Sequence, residues 1–291
     1  MAFEAVNVRF KITRLQHKKK EGTSTWRIQA GKASYVLKRF AKPEHRREIE
    51  NYRILQSLGI PTPRIIKQSR KMLLLEDLAD GSWRLGIKED MNDPAVAVLV
   101  AAWYRKLHEN GREYAQSHDL YDESDFYITP ENLALIGRKT GVDNLPIWPV
   151  LTARLPRIRE MAMSLPRTLT YNDFHYNNFA VSKDGSRALV FDYDLLGKGY
   201  VYGDIRNICY NMGDAAKAAF LAAYGDFDEN EITIDEIASV LVSLGYICHL
   251  GKEKFPSWGE GVLGVLKGWT EEDLLFEPPC RCRSFPPTGG F

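Results

Sequence analysis

No apolar run in the sequence exceeds the ten residues from Ala95 to Tyr104. A membrane span needs ~20, so a soluble chain with no membrane partner is expected. The first residues, Met1 to Ala5, lack the basic and apolar regions of a secretory signal. Cysteine is scarce, 4 in 291 residues, which excludes a disulfide framework. Cys209 and Cys248 stand singly in apolar stretches. Cys280 and Cys282 lie in a proline-rich tail with no second Cys or His pair at metal-ligand spacing. This usage points to a reducing, cytoplasmic compartment. There is no internal repeat. What is present is ordinary for a globular chain: 44% hydrophobic and 26% charged residues exclude wholesale disorder and collagen-like repeats. The length suits one large domain or two lobes.

Charge of one sign is missing from each half. Up to Glu76 there are 18 Lys and Arg against 6 Asp and Glu, and from Asp77 onward 21 against 32, so a net of +12 and a net of −11 leave only +1. A basic lobe suits a polyanion such as ATP. An acidic lobe suits a cation and argues against nucleic acid as a partner.

Three segments rich in β-branched and aromatic residues, Val6 to Ile12, Thr25 to Gln29 and Ser34 to Phe40, predict strands. A basic, polar turn from Lys18 to Ser24 joins the first two. Pro43 to Leu58 predicts a helix, with Ile49, Tyr52, Leu55 and Leu58 at helical spacing and Gly59 and Pro61 ending it. Arg64 to Lys67 and Lys71 to Glu76 predict two more strands, and Asp77 to Ser82 a linker. Helices are then predicted from Pro94 to Asn110, ending at Gly111, and around 147–163, 204–223, 233–249 and 258–267. One β-hairpin interrupts them. Its strands are Asn178 to Ser182 and Arg187 to Phe191, and Asp184-Gly185 forms the turn because such a turn needs positive φ. From Glu277 onward the chain holds four prolines, two glycines and no periodicity, which predicts a loose tail.

The chemistry gathers at this hairpin. The stretch Tyr171-Asn-Asp-Phe-His-Tyr-Asn-Asn-Phe precedes it and Val190-Phe-Asp-Tyr-Asp follows it. The hairpin brings Asn178 near Asp192, and Asp173 lies in the loop just before. Mg²⁺ takes one or two protein oxygens of this kind and leaves positions for phosphate and water. The remaining carboxylate, Asp173, can accept a hydroxyl proton.

Asp-x-x-x-x-Asn, a hairpin, then Asp resembles the catalytic and metal loops of protein kinases. More closely, the chain resembles the aminoglycoside phosphotransferase and choline kinase family of small-molecule kinases. Further segments carry the likeness in order: Tyr35 to Lys38, Arg47 to Leu55 with Gly59-Ile-Pro-Thr-Pro, Leu74 to Leu78, Leu107-His108 and Gly203-Asp204. Tyr171 stands where the family usually has His, and Asn172 where it has Gly. The chain has no Gly-x-Gly-x-x-Gly, Gly22-Thr-Ser-Thr being the candidate phosphate loop, and no Ala-Pro-Glu after Asp192. Both absences argue against a protein kinase.

The resemblance implies an α+β, two-lobed, protein-kinase-like fold: a small antiparallel sheet with one helix in the N-lobe (1–76), a hinge (77–81), and a mainly helical C-lobe with the catalytic hairpin (82–276), followed by the tail (277–291). It implies Asp173 as the residue that positions or deprotonates the acceptor hydroxyl, and Asn178 and Asp192 as Mg²⁺ ligands. Lys38 would contact the α- and β-phosphates and Glu48 would hold Lys38, with Glu50 and Glu44 as alternatives. Gly22 would approach the phosphates, and backbone groups of Glu76 to Leu78 would hold adenine, with Val36 against its face. Asp204 would brace the catalytic loop from a helix N-cap, and His108 would pack at a helix end, where its charge suits the helix dipole. The expected cofactors are ATP (or GTP) and Mg²⁺. The expected acceptor is a small molecule, cationic in view of the acidic half, such as an aminoglycoside or amino alcohol. A neutral sugar or amino acid metabolite is the alternative acceptor, and a catalytically silent, kinase-like binding or spore-coat-type protein the alternative class.

Overall fold

The computed structural model describes residues 10–250 and 255–274. In chain order the elements are strands β1 (Phe10–Lys18), β2 (Thr23–Ala30) and β3 (Ala33–Phe40), helix α1 (Arg47–Ser57), strands β4 (Ile65–Gln68), β5 (Met72–Glu76) and β6 (Trp83–Leu85), and helices α2 (Pro94–Ser117), α3 (Glu123–Tyr127), α4 (Pro130–Thr140) and α5 (Ile147–Ser164). Then come β7 (Thr168–Thr170), β8 (Phe179–Ser182), β9 (Ala188–Val190) and β10 (Gly197–Gly199), followed by α6 (Val201–Tyr210), α7 (Asp214–Tyr224), α8 (Glu229–His249) and α9 (Ser257–Lys267). An antiparallel sheet at the N-terminus followed by a mainly helical chain is the class expected from the sequence. The loose tail, Cys280 and Cys282, and the start of the first strand lie outside the described residues.

The chain forms two compact units. The first takes residues up to Tyr114, Tyr171–Leu196 and Asn207–Gly225; the second takes Ala115–Thr170, Gly197–Arg206 and residues from Asp226 onward.

In the first unit, five antiparallel strands run in the order β1-β2-β3-β5-β4. A smaller sheet, β6-β8-β9, contains the predicted hairpin. Its turn has positive φ at Gly185 (+70°). The Ser182 hydroxyl accepts from the N–H groups of Ser186 and Arg187, which closes the turn. A chain of buried rings fills the space around the site. Tyr52 packs edge-on to Tyr193 at 4.7 Å, Tyr193 and Trp103 each pack on Tyr171 at 6.0 Å, and Tyr104 meets Phe174 and Phe220 at 6.1 Å. Such contacts add about 0.5–1.5 kcal/mol each beyond the area they bury.

The second unit is a helical core built from α4, α5, α8 and α9, with Leu151, Ile136, Ala238, Leu244 and Leu266 at its centre. By length and composition α8 could cross a membrane. Its buried residues, from Ile234 through Leu241 to Cys248, lie within this core. Ion pairs lock the unit: Arg167 to Asp122 at 3.0 Å, both largely buried, and the half-exposed Arg206 to the buried Asp235 at 2.6 Å, where Tyr200 also donates to Asp235 at 2.7 Å.

Some elements differ from expectation. α2 runs through the buried Gly111 to Ser117. A helical glycine costs about 1 kcal/mol, less than the burial of Leu107, His108 and Ala115 returns. His108 is packed, as expected, but in mid-helix, where it shares a 2.8 Å hydrogen bond with Tyr224; a helix-end dipole is not its setting. The helix expected over 204–223 is two, because the Gly213 N–H turns away to Met91 O (2.9 Å). Asp204 sits inside the first turn of α6, which starts at Val201, and so is not an N-cap. The short α3 and α4 and the strands β6, β7 and β10 were not anticipated.

Asp77 ties the linker to the large sheet. Its carboxylate accepts from Arg27 Nε (2.5 Å), Ser34 Oγ (2.6 Å) and the Ala79 N–H (3.2 Å). Burial pushes this carboxyl up, but the Arg27 and Ser34 hydrogen bonds and the Arg27 charge outweigh it and hold it below the usual range. The folded value lies below the unfolded one, so the stabilisation is present above the ordinary carboxylate range and is lost as pH falls through the lowered value. Asp77→Ala is expected to cost about 2 kcal/mol in urea titrations at neutral pH, and the gap to wild type should narrow as pH is lowered. A gap independent of pH would show that the charge of Asp77 contributes nothing.

Candidate active site

The alternation of β3 puts Val36, Lys38 and Phe40 on one face of the sheet. Lys38 lies opposite Thr25 of β2 and Leu73 of β5. In α1, Glu48, Asn51 and Tyr52 share a face at i, i+3 and i+4. Lys38 Nζ meets Glu48 Oε1 at 2.6 Å and Oε2 at 2.8 Å, and a third acceptor, Asp192 Oδ1, at 2.7 Å. The competing glutamates point elsewhere. Glu50 pairs with Arg53 at the surface, and Glu44 lies 3.9 Å from Lys42, also exposed. The same face of α1 grips the segment after β9: Asn51 donates to Tyr193 O (2.7 Å), and Tyr52 packs on the Tyr193 ring.

One ammonium shared by two carboxylates sets the local electrostatics. Burial works against the Lys38 charge, but Asp192 and Glu48 overcome it and raise Lys38 above its ordinary value. Burial pushes Glu48 up to about 7, and Lys38 offsets this only partly. Asp192 is pushed up by burial, yet Lys38 and then Lys18 pull it below the usual range. Asp173 goes the other way, up to about 7, through burial and the negative charge of Asp192. Two neighbouring carboxylates driven apart in this way suit different tasks, one as a permanent anion and one as a proton acceptor.

The loop before the hairpin is held by its backbone. Among the described residues, Asn172 (φ +66°) and Asp192 (φ +69°) alone combine positive φ with a side chain. Asn and Asp tolerate that region better than other side chains do, which explains how Asn172 serves where the family pattern has Gly. Its side chain donates to Leu195 O (3.0 Å), and its carbonyl accepts from Asn207 (3.1 Å). Tyr171 is fully buried, and its hydroxyl donates to Phe191 O at 2.6 Å. It thus joins the loop carrying Asp173 to the segment carrying Asp192. Asn178 closes the loop, donating to Asp173 O (3.2 Å), while its own carbonyl accepts from the Phe191 N–H (2.8 Å).

The donor chemistry fits Mg²⁺. With its amide nitrogen fixed on Asp173 O, Asn178 keeps its side-chain oxygen as a possible ligand, and the Lys38 bond engages only Oδ1 of Asp192. These are hard oxygens of the type that ion takes.

The remaining sequence-predicted residues fall as follows. Val36 lies opposite Leu75, two residues from Lys38 on the same face. Glu76 is tied to Arg64, donating its N–H to Arg64 O (3.0 Å) and accepting the Arg64 N–H at Oε1 (2.8 Å). Leu78 is buried at the start of a 3-10 turn, Leu78–Asp80. Gly22 has φ +67° in the β1–β2 turn, where its carbonyl accepts from the Ala41 N–H (2.9 Å). Sequence reasoning did not assign Asn51 or Tyr52 to the site, although both follow from the stripe that contains Glu48. Nor did it find the pair His45–Asp194 (2.8 Å) or the approach of Lys18.

Comparison with known proteins gives the family and the fold. The model of the phosphotransferase enzyme family matches residues 15–238. The curated protein sequences hold no match. Among solved structures, choline kinase LicA from Streptococcus pneumoniae superposes with a TM-score of 0.63 at 15% identity, covering 90% of this chain and 94% of that one. Macrolide 2'-phosphotransferase MphH from Brachybacterium faecium gives 0.60 at 16%, covering 90% and 93%. The ternary complex of APH(2")-IIa with streptomycin and ATP gives 0.60 at 16%, covering 93% and 95%. At these identities the likeness is one of fold, and the fold is the protein-kinase-like one expected.

Tyr171→Phe removes the buried hydrogen bond to Phe191 O and keeps the ring. We expect it to fold, to lose about 1 kcal/mol in denaturant titrations, and to leave the Phe191 carbonyl unsatisfied. An unchanged stability would mean that the bond between the two segments is replaceable.

Proposed function

The chain belongs to the phosphotransferase enzyme family, and we propose that within it this protein transfers the γ-phosphoryl group of ATP to a hydroxyl of a small, cationic acceptor. The observation that carries the reading is Lys38 bonded at 2.6–2.8 Å to both Glu48 and Asp192, together with Asn178 bonded to the backbone of Asp173. Phosphoryl transfer asks a protein mainly for positioning and charge stabilisation, and these side chains supply both.

Lys38 would bind the α- and β-phosphates, fixed in place by Glu48. Backbone groups between Glu76 and Leu78 would hold adenine, with Val36 against it and Gly22 in the turn nearest the phosphates. In this reading residues 1–76 serve the nucleotide and 82–276 serve the acceptor. Asp173, pushed up to about 7, would accept the hydroxyl proton or fix the hydroxyl for attack. Asn178 and Asp192 would hold Mg²⁺, which when bound neutralises charge on the phosphate oxygens. ATP is supported by the nucleotide in the APH(2")-IIa complex. A cationic acceptor is supported by the acidic excess beyond Glu76. A reducing, cytoplasmic setting is supported by Cys209 and Cys248, which are free thiols.

The test is ADP release from Mg-ATP with a panel of aminoglycosides, amino alcohols and neutral sugars. A cationic acceptor should stimulate release, and Asp173→Asn should lower turnover about 10²–10⁴-fold. Removing magnesium with a chelator should abolish it. Stimulation by neutral sugars alone would refute the cationic assignment. Turnover that survives in Asp173→Asn would remove Asp173 from the mechanism.

A further inference from the structure

β1 carries a lysine that its sequence spacing places on the wrong face. Phe10, Ile12 and Arg14 pair with Ala30, Ile28 and Trp26 of β2. Directly opposed residues in antiparallel strands share a face. Trp26 in turn opposes Leu37 of β3, so this row lies on the face away from Lys38. By simple alternation Lys18 would follow Arg14 there. A bulge intervenes between Arg14 and Gln16. Beyond it Gln16 opposes Thr25 and Lys18 opposes Thr23, while Thr25 opposes Lys38 and Thr23 opposes Phe40. The inserted residue therefore turns Lys18 onto the face that carries Lys38. Bulges re-aim side chains in this manner beside functional sites.

Charge agrees with the register. Lys18 is raised above its ordinary value: burial lowers it, but Asp192 and then Glu21 outweigh that, with Asp173 adding to them. It acts in return on Asp192 and on Asp173. Its ion pair is a loose one, 3.4 Å to the half-exposed Glu21, and its own side chain is 38% exposed. It is thus a partly exposed cation, on the face that carries Lys38, whose charge acts on both carboxylates. The turn that follows holds one glycine, and the N–H of that glycine points back to Lys19 O (3.3 Å). A protein without a glycine-rich loop of backbone N–H donors needs another source of positive charge over the phosphates.

We propose that Lys18 is a second phosphate-binding cation of the nucleotide site, reaching from the bulged end of β1 to the terminal phosphates while Lys38 holds the inner ones. The proposal rests on the reading of the site as one for ATP. No bond is made or broken by Lys18; it binds the triphosphate and offsets the charge of Asp173 and Asp192 beside it.

The experiment is calorimetric titration of the whole chain, and of its variants, with Mg-ATP and with adenosine. Lys18→Ala should weaken ATP about 10-fold or more, the effect of losing a charge-assisted hydrogen bond, and should leave adenosine unchanged. Lys18→Arg should restore most of the ATP affinity. Glu21→Ala, which removes only the surface partner, should not weaken ATP. An ATP affinity within about twofold of wild type in Lys18→Ala would overturn the assignment, and so would equal losses for ATP and adenosine or a Glu21→Ala loss as large as that of Lys18→Ala. Wild type that binds no ATP would overturn this proposal together with the reading beneath it. Lys18-dependent ATP binding without acceptor-dependent ADP release would uphold Lys18 and sink only the transfer reaction.

Discussion

A buried ammonium must find anions, and in this protein that requirement connects three parts of the chain. Lys38 is 8% exposed and Glu48 1% exposed. Leaving either without its partner would cost roughly 3–5 kcal/mol. Lys38 comes from the sheet, Glu48 from α1 and Asp192 from the segment after the hairpin, and none of the three reaches its position without its own element being in place. α1 is the common support. Glu48 holds the lysine, and one turn further on Asn51 and Tyr52 hold Tyr193, the neighbour of Asp192. The helix therefore sets the separation between the cation and the carboxylate with a single rigid face.

That arrangement supplies fewer positive charges than negative ones. Lys38 holds Asp192 below the usual carboxylate range, and the negative charge of Asp192 then pushes Asp173 up, with Lys18 offsetting it only in part. The two aspartates differ in behaviour because of their neighbours, not because of their chemistry. Backbone conformation completes the asymmetry. Asp192 sits at positive φ, off the line of β9, while the Tyr171 hydroxyl and the Asn172 amide fasten the loop of Asp173 to the backbone of 191–195.

The parts legible in the sequence are those whose cause is local. The Asp184-Gly185 turn, the stripe of α1 and the alternation of β3 each follow from a few adjacent residues, and they place Lys38, Glu48, Asn178 and Asp192. What escaped has a distant cause. β6 is three residues long and exists because β8 pairs with it. α2 outruns Gly111 because packing outweighs the cost of a glycine. The break between α6 and α7 depends on a carbonyl from Met91, more than a hundred residues earlier. Lys18 is the sharpest case: the sequence reading ends the first strand at Ile12 and puts Lys18 in the following turn, whereas β1 runs on through Lys18, and only the register with β2 reveals the extra residue that sets its face. α3 and α4 were legible but missed. Asp122 and the pair Thr129-Pro130 are ordinary start signals, and both side chains do cap their helices.

The order in which the ribosome delivers these partners bears on how the protein is made. Lys38 and Glu48 are ten residues apart, whereas Asp192 follows Lys38 by 154. At typical translation rates that interval lasts roughly 8–30 s. During it the nascent chain exposes a strongly basic N-terminal segment whose last counter-charge has not been synthesised, and the stretch Ala115–Thr170, emerging meanwhile, belongs to the other compact unit. The first unit therefore cannot close in sequence order; it has to wait for the second anion of Lys38 while the residues of the other unit are being made. Long-range closure of this kind slows folding. Until Asp192 emerges, Lys38 has Glu48 as its one carboxylate partner of the two, and the link between the sheet and the segment after the hairpin is the last to form.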